Sequence, residues 1–169
     1  MTKRTVQIIW HSRTGASKQL AHAAYQGAQE ALVALEATHT HQVRSTVATA
    51  LSLDHLLLAH AFIFCAPENL GGLSGEMKSF FDRFYYAAFD QLNGRPYGAI
   101  ISAGSDGQAA LKQLQRICTG WRLEAAYPPY VCMLGAQTAT EIWAPKHLTP
   151  EQLRPAYELG ANIAALLAL

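Results

Sequence analysis

Short β-branched or apolar runs alternate along this chain with stretches in which apolar and small residues return every three to four positions. Residues 5–10, "TVQIIW", have the composition and length of a buried strand. From Ser17 onward Leu20, Ala24, Gly27, Ala28, Ala31 and Leu35 recur at helical spacing, with Lys18, Gln19, Gln26 and Glu30 between them. A strand therefore feeds a helix through "HSRTGASKQLA". A weaker second unit follows, "VRSTVA" as strand and "LSLDHLLLAH" as short helix. The continuous apolar run "AFIFCAP", ended by Pro67, is expected of a central parallel strand buried on both faces.

The loop "ENLGGLSGE" leads into a helix beginning near Ser74, with Met77, Phe80, Phe81, Phe84 and Tyr85 on one face. The stripe including Tyr86 reads as core, with an excess of rings available to a subunit interface. "YGAIISAG" is the fourth strand, and Ala110, Leu114, Ile117, Cys118 and Trp121 mark the face of the next helix. In "YPPYVCML" the two prolines place the start of the fifth strand at an edge or outside the ladder. Thr149, Pro150 and Gln152 form a helix start with a capping box, and Leu153, Ala156, Tyr157, Gly160, Ala164 and Leu167 give that last helix its buried face. Five βα units in series predict a parallel sheet covered by helices on both sides. The connection "GAQTATEIWAPKHL" is long enough to expect a function of it.

At 169 residues, half of them hydrophobic and 15% charged, the chain reads as a single α/β domain over residues 1–169. A net charge of +1 provides no basic excess for nucleic acid. Cys65, Cys118 and Cys132 are widely spaced with no metal or redox pairing, which fits a reduced, cytoplasmic protein. Cys65, inside "FIFCAP", reads as a small buried hydrophobe. His39 and His41 fall on an expected turn, and the seven histidines are too dispersed for a metal site. No signal peptide or membrane span is expected.

Ligands of an open α/β sheet bind where the strands end. Three loops meet there: 11–17, 67–75 and 103–108. The first offers the hydroxyls of Ser12, Thr14 and Ser17, the flexible Gly15 and the free N–H groups of a helix N-terminus, all suited to an anion. Helix capping alone would also explain those hydroxyls. The loop lacks the triphosphatase pattern G-x-x-x-x-G-K-[ST], and G-x-G-x-x-G is absent from the chain. In the second loop Gly71 and Gly72 let backbone approach a flat ligand.

"HSRTGASKQLA" resembles the phosphate loop of the flavodoxin-like proteins. "APENLGGLSGEMKSFFDR" resembles the second flavin loop of their NAD(P)H-dependent FMN reductase and quinone oxidoreductase branches, and "SAGSDGQ" is similar to the third flavin loop. The resemblance implies a three-layer sandwich around a five-stranded parallel sheet of order 2-1-3-4-5. It also implies non-covalent FMN, with the phosphate on Ser12, Arg13, Thr14, Gly15, Ala16 and Ser17. The ring would lie against Pro67, Glu68, Asn69, Leu70, Gly71 and Gly72, with Ala103, Gly104, Ser105, Asp106 and Gly107 at its other edge. Trp10 and His11 depart from the common pattern, in which a small or hydroxyl residue precedes the serine; His11 could touch phosphate or pack at the strand end.

Within that resemblance two activities compete. Carriers of this fold are strongly acidic, whereas this chain has 12 acidic against 13 basic residues, with Glu68 and Asp106 the carboxylates of the ring loops. The balance favours an NAD(P)H-dependent oxidoreductase delivering two electrons to a quinone, flavin or similar acceptor; the alternative is a one-electron carrier. The cofactor supplies the chemistry, so no catalytic side chain is assigned. A homodimer or higher homo-oligomer is expected, with Trp143 covering a flavin face or packing against a second subunit. A tyrosine phosphatase would need a cysteine opening the first loop, and a receiver domain acidic residues at the ends of the first and third strands; neither is present.

Overall fold

A computed structural model describes residues 2–169. The elements run β1 Arg4–Trp10, α1 Ala16–Ala34, β2 His41–Val47, α2 Leu53–Leu58, β3 Ala61–Asn69, β4 Gly72–Leu73, α3 Gly75–Phe84, β5 Pro96–Ala103, α4 Gln108–Gly120, β6 Glu124–Ala125, β7 Tyr130–Met133, α5 Ala139–Trp143 and α6 Pro150–Ala168. The sheet order is β2-β1-β3-β5-β6, with β7 also paired to β5 and β4 to β3. All pairings are parallel except β3–β4. This is the flavodoxin-like class, with helices on both sheet faces.

The expected five strands become seven for two physical reasons. The expected fifth strand, 127–134, joins the ladder only from Tyr130, beyond Pro128 and Pro129, as β7, and a further short piece, β6, pairs with β5 upstream of the prolines. The third strand does not stop at Pro67: Pro67 still pairs with Ser102, its carbonyl accepts from Ser74 N–H, and Glu68 and Asn69 turn back through an antiparallel ladder with β4. β2 also starts earlier than expected, so His41 is not in a turn. It is buried at the strand's first position, its Nε2 3.2 Å from the Leu167 carbonyl oxygen.

Two apolar layers flank the sheet. On one face Phe62, Phe64 and Tyr97 meet Met77, Phe80, Phe81, Leu114 and Trp121. Phe80 and Trp121 pack edge to face, and Trp121 donates its indole N–H to the Tyr85 carbonyl. The aromatic stripe is thus core at Phe80 and Phe81 but not at Tyr86, which is exposed because it lies beyond the end of α3. On the other face Val6, Ile8, Ile63 and Ile100 lie under α1 and α6. Leu35 leaves that face, since α1 ends at Ala34 and Leu35 is its exposed C-cap. No helix among the described residues is long and apolar enough to cross a membrane.

Helices α1 and α6 approach to backbone contact, and glycine makes this possible. A Cβ on Gly27 would lie 2.0 Å from the Tyr157 carbonyl oxygen, and one on Gly160 would lie 2.0 Å from the Ala24 carbonyl oxygen. Alanine is the better helix former by roughly 1 kcal/mol, but backbone cannot yield as a side-chain end can. Gly160→Ala is therefore expected to destabilise the fold by about 1–3 kcal/mol, read as a lower urea midpoint. A midpoint at or above wild type would show that the helices separate without loss.

Candidate functional site

The three strand-end loops form a cross-linked rim. In the first, Gly15 sits at φ +98° as the N-cap of α1, and no side chain caps the helix. The first-turn N–H groups of Ala16, Ser17 and Lys18 therefore have no capping partner and carry the positive end of the helix dipole. Gly15 N–H donates to Ser12 Oγ at 3.1 Å, which folds the loop back on itself. Ser17 behaves differently from Ser12 and Thr14. Its hydroxyl is buried against Ser102 Oγ at 2.8 Å, so toward a ligand Ser17 has only its backbone N–H to offer.

His11 is a packed strand-end histidine. Its Nδ1 lies 2.9 Å from Ser74 Oγ and its Nε2 3.5 Å from a Glu76 carboxylate oxygen, tying the first loop to the start of α3. Burial holds the imidazole below the ordinary value of 6.5; the Glu76 carboxylate opposes this and the Arg13 charge adds to it. Ser74, engaged by His11, does not cap α3 with its side chain. Arg13 lies over the Trp143 ring, 5.0 Å from its centroid.

The second loop is a tight hairpin. Leu70 (φ 52°) and Gly71 (φ 75°) are both left-handed, as a two-residue turn matched to strand twist requires. Leu70 is fully exposed at the tip. The base is fixed: Leu73 N–H donates to Gln113 Oε1 at 2.8 Å, and Glu68 Oε2 accepts the Gly107 N–H at 2.8 Å. Glu68 is thus a brace between the second and third loops. Pro67 and Asn69 are half-buried, and the Asn69 Nδ2 donor is buried with no acceptor among the described residues.

In the third loop Ala103 is buried, and its carbonyl accepts Leu134 N–H. A Cβ on Gly104 would lie 2.6 Å from the Ala136 carbonyl oxygen, and one on Gly107 would meet Val131 and Ala103 within 3 Å. Ser105 and Asp106 face solvent between these two packed glycines. Gly107, at φ +78°, caps α4 as Gly15 caps α1, again without a side-chain cap.

The long connection is a strap along this rim. Lys146 N–H donates to the Thr14 carbonyl at 2.8 Å, and Gln19 grips both the Lys146 carbonyl and the Leu148 N–H. The Lys146 ammonium caps the carbonyl end of α5, donating to Glu141, Ile142 and Ala144. Helix α5 falls in the stretch expected to be a loop, although the Thr138–Glu141 capping box marks its start. The contacts of Ser74, Ser102, Gln113 and Lys146 are not legible locally, since each spans 40 or more residues. Cys65 is fully buried, its Sγ donates to the Ser17 carbonyl, and burial pushes the thiol pKa upward, leaving no reactive thiolate.

Comparison with known proteins agrees with this architecture. The family model for NADPH-dependent FMN reductases matches residues 11–139, a span containing all three loops. The chain belongs to that family, and it is an FMN-binding flavoprotein of the oxidoreductase class with a flavodoxin-like fold. Among solved structures it is similar to a flavodoxin, WrbA-like protein from Agrobacterium tumefaciens, at 18% identity and TM-score 0.71 over 99% of this chain and 100% of that one. A flavodoxin from the domain Archaea matches at 17% identity and TM-score 0.74 over 96% and 98% of the two chains. The flavodiiron core from Synechocystis matches at 17% and 0.73, over 97% of this chain and 36% of the larger one. No curated protein matches by sequence.

Because folding lowers the His11 pKa, the unfolded chain binds this proton more readily than the folded one. The His11 contribution to stability is therefore complete well above pH 6.5 and is lost as pH falls through that value. His11→Gln is expected to flatten the decline in unfolding free energy between pH 7.5 and about 5, measured by urea titration at each pH. An unchanged slope would place the pH dependence elsewhere, for example at His60, whose pKa is lowered chiefly by burial.

Proposed function

We propose that this protein is an NAD(P)H-dependent oxidoreductase that holds FMN non-covalently at the three strand-end loops and passes two electrons to a quinone, flavin or similar small acceptor. The observation that carries the reading is the rim itself: uncapped helix N–H groups and a partnerless amide donor on loops cross-braced within the matched span. These residues fit the group. A phosphate is suited to the N–H groups of 16–18, the Ser12 and Thr14 hydroxyls and Arg13. The ring's polar edge is suited to the hairpin 67–72, where Asn69 Nδ2 lacks an acceptor, and to the backbone of 103–107. When bound, FMN supplies the redox chemistry, taking hydride from a nicotinamide and yielding electrons to the acceptor.

The chain's part is to bind and orient. Glu68 is spent on Gly107, so Asp106 is the carboxylate of the ring loops left facing solvent. The ring loops carry only these two carboxylates, and with 12 acidic against 13 basic residues the chain lacks the general repulsion that would oppose a reduced, anionic ring, which favours the enzyme over the carrier. Exposed Tyr86 and Phe89, packed beside Tyr85 at the end of α3, support a homodimer or higher homo-oligomer covering these rings. Exposed Ile142 and Trp143 support a role for the strap in shaping the acceptor's pocket. A cytoplasmic location is part of the same reading and is in keeping with its three free, buried cysteines.

The test is the visible spectrum of protein reconstituted with FMN, before and after anaerobic addition of NADPH or NADH. Rapid bleaching of the bound flavin is expected. Bound flavin that ignores both nucleotides would identify a carrier, and no bound flavin would mean that the first loop takes another anion. Thr14→Glu, which sets a carboxylate among the phosphate donors, is expected to weaken FMN binding roughly tenfold or more without loss of folding.

A further inference from the structure

A cleft of about 600 Å³ lies away from the ring loops, where α1 passes the free edge of the sheet. Its lining combines four nitrogen-bearing basic side chains, Lys18, His22, Arg44 and His55, with two half-buried aromatic rings, Trp10 and Tyr25. No Asp or Glu lines it. Lys18, His22 and Tyr25 follow one another at positions i, i+4 and i+7 of α1 and so share a face. Arg44 comes from the outermost strand, which has no neighbour on its far side.

In a chain of net charge +1, counted with neutral histidines, two cations, Lys18 and Arg44, beside two imidazoles and no carboxylate make a local concentration of positive charge. Neither Lys18 nor Arg44 is in an ion pair among the described residues. Both are exposed, so each would be free to meet an anion. The aromatic pair adds apolar flat surface, which a bare inorganic anion does not use and a heteroaromatic ring does. The cleft is wide enough for a small ligand and open to solvent. An extended polyanion would require further cations outside the cleft, and the chain has no such excess.

We propose that this cleft is a second binding site, for a phosphorylated nucleoside: the base against Trp10 and Tyr25, the phosphate between Lys18 and Arg44. Lys18 belongs to the first turn of α1, so the cleft opens one helical turn from the phosphate loop. Two sources share this chemistry, the 2′-phosphoadenosine half of NADPH and a separate mononucleotide.

The probe is adenosine 2′,5′-bisphosphate, titrated calorimetrically into protein held with excess FMN so that the phosphate loop is occupied. Saturable binding is expected, weaker for adenosine and for inorganic phosphate alone. Arg44→Glu is expected to lower probe affinity roughly tenfold or more, the loss of one charge-assisted contact. Lys18→Gln, a second exposed position, is expected to weaken it as well. An unchanged thermal midpoint of each variant confirms folding. Absence of saturable binding to the wild type, or unchanged affinity in Arg44→Glu, overturns the proposal. Competition between probe and NADPH during flavin bleaching identifies the dinucleotide as the source, and its absence identifies a separate nucleotide; both support the site. Because the titration requires no turnover, failure of the redox reading would appear as flavin that is not bleached while the probe still binds.

Discussion

Backbone contact between α1 and α6 is the constraint on which the site side of this molecule depends. Carbonyl oxygens of Tyr157 and Ala24 occupy the spaces where Gly27 and Gly160 lack a Cβ, so the two helices meet backbone to backbone. One of them begins at the phosphate loop and the other is entered from the strap. Their spacing therefore decides whether Lys146 N–H can reach the Thr14 carbonyl and whether Gln19 can span to Lys146 and Leu148. An interaction in the middle of the helices sets the alignment of chain segments at their ends.

The rim shows a division between polar groups used for structure and polar groups left over. Ser17 with Ser102, His11 with Ser74 and Glu68 with Gly107 are committed within the chain, and each joins loops that are remote in sequence. They hold the backbone so that other groups stay unmatched among the described residues: the first N–H groups of α1 and the amide of Asn69. A buried donor without an acceptor is costly. Its persistence within a braced frame is what preorganisation for a polar ligand looks like.

Much of this was legible in the sequence because it is local. The strand–loop–helix rhythm, the capping box at Thr149, the break at Pro128 and Pro129 and the apolar faces all depend on periodicity or on neighbours within a turn. The three loops were legible too, since strands of this pattern must end at one edge. What escaped is the pairing that decides which side chain of a loop faces the ligand. Nothing near Ser17 says that its hydroxyl is spent on Ser102, and nothing near Glu68 points to Gly107. The extension of β3 past Pro67 escaped for a related reason: a proline ends a run of apolar residues without ending the ladder when its carbonyl and its successors still find partners.

Leu70 carries a different kind of information. Left-handed backbone costs a side-chain-bearing residue roughly 1 kcal/mol, and the position needs no apolar group for the fold, since Leu70 is exposed to solvent at the very tip of the hairpin. Asparagine or glycine would relieve the backbone there. The backbone cost at Leu70 is therefore not offset by any packing of its side chain within the chain. The hairpin tip thus presents an apolar side chain to solvent from a backbone conformation that a smaller residue would hold with less strain.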